Sequence, residues 1–365
     1  MINLTIVAGA RPNFMKIAPI LKAIQNKKQN GTKIDFRLVH TGQHYDKKMS
    51  GDFFEQLNIP EPDINLEAGG GSQAEQTAAI MVAFEKELIA NRPDLVIVVG
   101  DVTSTLACSI TAKKLVIDVA HVEGGIRSGD MSMPEEVNRI VTDSITDHFF
   151  TTSEVANQHL KSVGVAENRI HFVGNTMIDT LLSNQDRFIS PAGEMFDDLQ
   201  EKNYFVMTMH RPANVDGEQQ LKALIDAIMT GTSNYPVIFP VHPRTAKNLE
   251  KIGIKHPRLR MVEPLSYLEF NFLVKNAMGV ITDSGGITEE SSVMNVPCIT
   301  MRNNTERPET VTLGTNELIG TDPANLKAPL EKLLKGKWKS YKGIPLWDGK
   351  SAERIVDKII EIYKL

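Results

Sequence analysis

The chain has 365 residues, a net charge of −5, 41% hydrophobic and 23% charged residues. This is an ordinary globular composition, long enough for two or three cores. The mild acidity speaks against a general nucleic-acid or membrane-surface binder, and apolar runs such as Leu95–Val99 are far too short to span a bilayer. The two cysteines, Cys108 and Cys298, sit among apolar or small residues and read as buried, inert thiols. With a first strand that begins at once and no basic-then-apolar leader, they point to a reducing, cytoplasmic compartment.

Apolar runs alternate with helix-like segments from end to end. Strands are expected at residues 4–8, 36–40, 95–99, 119–122, 149–151 and 170–173. They resume at 204–209, 237–240, 260–262, 280–282 and 298–301. Between them lie helices such as 72–90, where Ser72 and Glu75 form a capping box. Strand–helix alternation with short links is the pattern of parallel α/β sheets. Residues 183–202, with Pro191, Gly193 and several acids, break it and are expected to link two similar domains. Residues 336–348 look like a second crossing, and 351–365 a final helix with Ile355, Ile359, Ile362 and Tyr363 on its apolar side. The expected domains are therefore 1–175 rejoined by 350–365, and 176–349. Gly69, Gly71 and Ala74 mimic a dinucleotide fingerprint, but a helix cap explains them. Gly349-Lys350-Ser351 mimics a P-loop end without its strand.

Ligands of open α/β sheets lie beyond the carboxyl ends of the strands, so polar residues there are the candidates. The first strand runs into Gly9-Ala10-Arg11-Pro12-Asn13, with Lys16 a turn on. Arg11 and Lys16 suit a diphosphate or, more plainly, a surface ion pair. Asp101 follows the strand at 95–99, either as a helix cap or as a reactive carboxylate. Glu123 stands at a strand end beside two glycines, a poor choice for packing. Glu135, Glu136 and Arg139 would by themselves be an ordinary first helical turn with an i,i+4 pair. His210-Arg211 and His242-Pro243-Arg244 close two successive strands and suggest anion contact or proton transfer.

Thr282-Asp283-Ser284-Gly285-Gly286 carries the strongest local signal. A buried strand turns through glycines into a helix start, where free N–H groups and the helix dipole favour an anion. Glu290 lies one turn past Gly286 on the same face and could take the two hydroxyls of a ribose. The plainer alternative is a capped helix with solvated glutamates. The charged stretch from Arg302 to Glu309 also follows a strand. Metal-ligand spacing of the Cys-x-x-Cys kind is missing, as is a Gly-x-Ser-x-Gly elbow.

Taken together, residues 9–13, 40–44, 100–101, 121–128, 134–139, 210–211, 242–244, 283–290 and 305–309 resemble, in order, the non-hydrolysing UDP-N-acetylglucosamine 2-epimerases. The resemblance implies two Rossmann-like domains with parallel sheets facing a central cleft, the GT-B arrangement, and a homodimer. It implies UDP on the second domain, with His210, Ser284, Gly285 and Gly286 at phosphate and Glu290 at the ribose. Arg11, Lys16, Arg139, His242, Arg302 and Arg307 would contact substrate, and Asp101, Glu123, Glu136 and His210 would be the catalytic set. No nicotinamide cofactor and no metal is expected. Tyr45-Asp46 and Gly69-Gly70-Gly71 depart from members activated by a second substrate molecule. The forms at 43–46 and 242–244 also occur in relatives acting on UDP-diacetamido-uronic acids. A GT-B glycosyltransferase is a further alternative.

Overall fold

The computed structural model describes residues 1–42, 54–241 and 243–364. The chain divides into two compact units, Met1–Ser183 with Pro345–Leu365, and Asn184–Ile344. The first holds a seven-stranded sheet of β1 (Ile2–Ala8), β2 (Ile34–His40), β3 (Ile64–Asn65), β4 (Leu95–Val99), β5 (Asp118–Val122), β6 (His148–Thr151) and β7 (Ile170–Phe172). All neighbours are parallel, in the order β3-β2-β1-β4-β5-β6-β7. The second holds β8 (Phe205–Thr208), β9 (Val237–Pro240), β10 (Leu259–Val262), β11 (Gly279–Thr282), β12 (Cys298–Thr300) and β13 (Asn316–Leu318). They too are parallel, in the order β10-β9-β8-β11-β12-β13.

These are Rossmann-like orders, as expected. Chain direction across each sheet reverses between β1 and β4 and between β8 and β11, which opens a crevice beyond the carboxyl ends of those strands. β4, Leu-Val-Ile-Val-Val, is buried throughout because helices cover both faces of a parallel sheet. The second sheet divides its side chains accordingly. Phe205, Met207, Phe239 and Ile281 face one core, and Val206, Ile238, Val280 and Cys298 the other. Both cysteines are fully buried, and burial pushes their thiols up, Cys298 to about 11. Among the described residues no helix is long and apolar enough to cross a membrane.

The sequence pattern missed β3 and β13, which have two and three residues. Other strand ends differ by a residue or two. The segment 183–202 is more than a tether, because Phe196 and Leu199 pack on the second unit's core. The division falls at Ser183/Asn184 and Ile344/Pro345, where the sequence pattern placed it at 175/176 and 349/350. The helix Thr176–Asn184 belongs to the first unit through buried Ile178 and Leu181 and the Thr180 hydroxyl donating to Met15 O. Trp347 Nε1 donates to Thr152 O.

The last helix, Ser351–Ile362, returns to the first unit with Ile355, Val356 and Ile359 buried. Its two leading N–H groups, of Ser351 and Ala352, donate to Asp179 at 3.1 and 2.7 Å. A carboxylate far away in sequence thus supplies the cap that the helix's own residues do not. Gly174 is left-handed (φ +99°), and a Cβ there would stand 2.1 Å from Leu346 O.

Candidate active site

In the first unit the carboxyl ends of β1, β4 and β5 carry the polar cluster. The helix Arg11–Gln29 starts with Pro12 in its first turn, and Asn13 ties its start to β4. Asn13 Oδ1 accepts from Gly9 N and Ala10 N, and its Nδ2 donates to Val99 O. This leaves Lys16 beside the end of β5, where its Nζ lies 2.7 Å from Glu123 Oε2. The Lys16 side chain is only 14% exposed and bonds Glu123, so it is not a solvated surface lysine.

Glu123 itself sits in the left-handed region (φ +72°). A non-glycine residue there costs energy and persists only where its surroundings over-determine it, a common mark of functional sites. Asp101 is not the helix cap: Val102 takes that position without a side-chain bond. Instead Asp101 Oδ2 accepts from both Arg139 Nε and Nη2, at 3.0 and 2.5 Å, two charge-assisted bonds on one oxygen. Arg139 Nη1 reaches Glu136 Oε2 at 2.6 Å.

Glu136 is buried, and its oxygens also accept from Ser128 N and Oγ and from Gly129 N, all at 3.0 Å. Burial alone would raise its carboxyl, but these donors hold it below the ordinary range. Beneath this layer His121 bonds Asp143, which also takes Gly125 N and Arg127. Burial opposes the charge on Asp143, yet His121 and Arg127 keep it below its ordinary value.

In the second unit β8 and β11 end side by side. Asp283, fully buried, accepts from His210 N, Arg211 N and Asn214 Nδ2 at 3.0 to 3.2 Å. His210 Nδ1 lies 2.8 Å from its Oδ1. Burial works against that charge, but the donors hold the carboxyl low. The imidazole is thereby oriented with its side chain 55% exposed. Ser284 is the N-cap of the helix Gly285–Val293 without a side-chain cap bond. The first-turn amides of Gly285 and Gly286 therefore form an uncapped, positive helix end.

Gly285 leaves room there: a Cβ would come within 3.7 Å of Arg302 Nη1. Arg302 is buried, paired with Glu306 at 2.7 Å and Asn304 at 3.1 Å. Arg307 is buried against Glu289, Nε to Oε1 2.7 Å. Glu290 is buried rather than solvated, accepts from Tyr267 OH at 2.8 Å, and is pushed up to about 7 by burial.

The structure thus brings Lys16, Asp101, Glu123, Glu136 and Arg139 together in the first unit, and His210, Ser284, Gly285, Gly286, Glu290, Arg302 and Arg307 at the corresponding strand ends of the second. His242, Gln43 and His44 lie outside the described residues, as do the side chains of Arg11 and Arg244. Sequence reasoning missed Asp143, Tyr267 and the use of Asp283. Asp143 is 22 residues from its histidine and Tyr267 is 23 from its glutamate, with no local pattern to link them. Asp283 could have been found, since it immediately precedes the Ser-Gly-Gly turn.

A family model described as UDP-N-acetylglucosamine 2-epimerase matches residues 26–360. A UDP-N-acetylglucosamine 2-epimerase of Methanocaldococcus jannaschii is 42% identical, over 97% of this chain and 98% of its own. A UDP-2,3-diacetamido-2,3-dideoxy-D-glucuronate 2-epimerase of Pseudomonas aeruginosa is 40% identical over 87% and 88%. The crystal structure of the Methanocaldococcus jannaschii enzyme in complex with UDP-GlcNAc and UDP superposes with a TM-score of 0.87, at 41% identity over 98% of this chain and 99% of that one.

Proposed function

From the premise that the chain belongs to the UDP-N-acetylglucosamine 2-epimerase family, we propose that it interconverts UDP-N-acetylglucosamine and UDP-N-acetylmannosamine. The carbon to be inverted bears an acetamido group, and its hydrogen is not acidic. Elimination is the accessible route. A base takes that hydrogen, the adjacent C–O bond to UDP breaks, and a carbon–carbon double bond forms in a glucal-like intermediate. Protonation from the opposite face and re-addition of UDP complete the inversion. The reaction needs acid/base groups and stabilisation of a departing diphosphate, and it needs no added cofactor.

The observation that carries this is the placement of two carboxylates, Asp101 and Glu123, at the ends of adjacent strands β4 and β5, with Arg139 bonding the first and Lys16 the second. We assign proton transfer to them and to Glu136, whose four donors also fix Arg139 and the chain at 128–129. His210, oriented by Asp283, and the amides following Ser284 take the diphosphate. Glu290 takes the ribose hydroxyls, and Arg302 and Arg307 add positive charge. Arg11 and His242 are assigned to substrate by family likeness. The protein acts as a homodimer. The exposed apolar residues Val82 and Ile89 on the helix Gln73–Ala90, and Val137 and Ile140 on Pro134–Ile145, supply a surface for it.

Proton NMR of UDP-N-acetylglucosamine with the enzyme in deuterated water tests the reading. A UDP-linked manno isomer carrying deuterium at the acetamido-bearing carbon is the expected product. Free N-acetylmannosamine with UDP would mean hydrolysis instead. An unchanged spectrum, with turnover of a UDP-diacetamido-uronic acid, would favour the second reading that the Pseudomonas relative supports.

A further inference from the structure

We infer that His121 is a buried, doubly protonated imidazolium that positions Asp101 and Glu123 relative to each other. This rests on the assignment of proton transfer to those two carboxylates. His121 lies on β5, two residues before Glu123, and is 0% exposed. Its Nδ1 is 2.7 Å from Asp143 Oδ1, and its Nε2 is 2.7 Å from Gly100 O, the carbonyl that leads into Asp101. A neutral imidazole has one N–H and one lone pair. Either tautomer would set a lone pair against an oxygen at hydrogen-bond distance, next to a carboxylate or a carbonyl that can only accept. Both contacts are favourable only when both nitrogens carry hydrogen.

The ring then joins the two strand ends by their backbones. Gly100 donates its N–H to Val122 O and receives the His121 bond on its own carbonyl, so the turn after β4 is stitched twice to β5. On the other side Asp143 Oδ2 takes Gly125 N at 3.0 Å. His121 and Gly125 flank Glu123 and share one aspartate, which brackets the residue whose left-handed backbone needs restraint. Gly124 and Gly125 leave no slack: Cβ atoms there would lie 2.9 Å from the Phe149 ring and 2.5 Å from Ala156 O. His121 touches no reacting atom in this scheme. It sets where two that do are held.

The ring state is read directly by nitrogen-15 NMR of the full-length, histidine-labelled protein at neutral pH without substrate. The expected result is hydrogen on both nitrogens of His121. A single neutral tautomer would overturn the inference, and this readout needs neither a variant nor turnover. The second measurement is kinetic. In His121→Gln, kcat is expected to fall roughly 100-fold, what a ~1 Å misplacement of reacting groups costs, while KM and the Kd for UDP stay unchanged. A folded variant with unchanged kcat would also overturn it. Wild-type protein that turns over no UDP-sugar would instead defeat the proposed function, leaving the ring state to be decided by its own spectrum.

Discussion

His121 and His210 each present Nδ1 to an aspartate, at 2.7 Å from Asp143 and 2.8 Å from Asp283. Both aspartates are buried, and both are kept ionised against burial by several donors. The histidines differ in what faces the second nitrogen. His121 is enclosed and spends Nε2 on a backbone carbonyl, whereas the His210 side chain is 55% exposed. One motif therefore does two jobs. Where both nitrogens are consumed internally, the pair is a clasp between strands. Where the ring is half open, as at His210, we propose that the pair preorients a donor for the diphosphate.

The largest expected effect is on rate. His210→Ala is expected to lower kcat by ~10²–10⁴-fold, the range for a lost acid/base or anion-stabilising group, with little change in the unfolding midpoint. A large fall in stability with intact kcat would give His210 the structural role. Asp143→Ala should do the reverse to the fold. Removing one partner of a buried charged set leaves His121 and Arg127 uncompensated, at about 3–5 kcal/mol in denaturant titration. A loss under about 1 kcal/mol, the value of an exposed pair, would mean that the clasp carries no load.

Ser284→Ala sharpens the second-unit side of the comparison. It should weaken UDP by ~1–3 kcal/mol in calorimetry, as for a hydrogen bond to a charged group. An unchanged Kd would move the diphosphate away from this helix end. A further prediction concerns a third kind of histidine, one whose ring has no aspartate bond among the described residues. His171 on β7 is half-buried beside His148, and burial pushes it down to about 4 from an ordinary 6.5. Protonation favours the unfolded chain, so stability should be complete above about 6.5 and decline as pH falls toward about 4. His171→Phe should flatten that part of the pH–melting curve, and an identical slope in the variant would assign the acid sensitivity elsewhere.

Much of the architecture was legible because its signals are local. Five successive apolar residues at Leu95–Val99 make a buried parallel strand, and Ser72 with Glu75 makes a capping box that the structure forms as read. The Ser284-Gly285-Gly286 turn was legible for the same reason. Strand, turn and helix start are consecutive, and Glu290 follows one turn later on the same helix. What failed to show in the sequence depends on distant partners. Asp101 reads as a helix cap or a reactive carboxylate, and only its bonds to Arg139, from another helix, set the cap aside. That Glu289 and Glu290 are buried, against Arg307 and Tyr267, is not visible along the chain, where solvated glutamates are the alternative to a ribose contact. Asp179 gives no hint that it caps a helix more than a hundred residues away.

The sequence by itself determined the alternation of strands and helices, the two-sheet class, and which strand ends carry carboxylates or an anion-ready helix start. Those properties follow from hydrophobic period, glycine placement and capping, all set within a few residues. The tertiary structure alone decided the protonic character of each group. Whether a carboxylate is held ionised like Glu136 or pushed up to about 7 like Glu290 depends on donors and burial contributed by remote segments. Electrostatic energies are set by distance in space and local solvent, and neither is a function of distance along the chain.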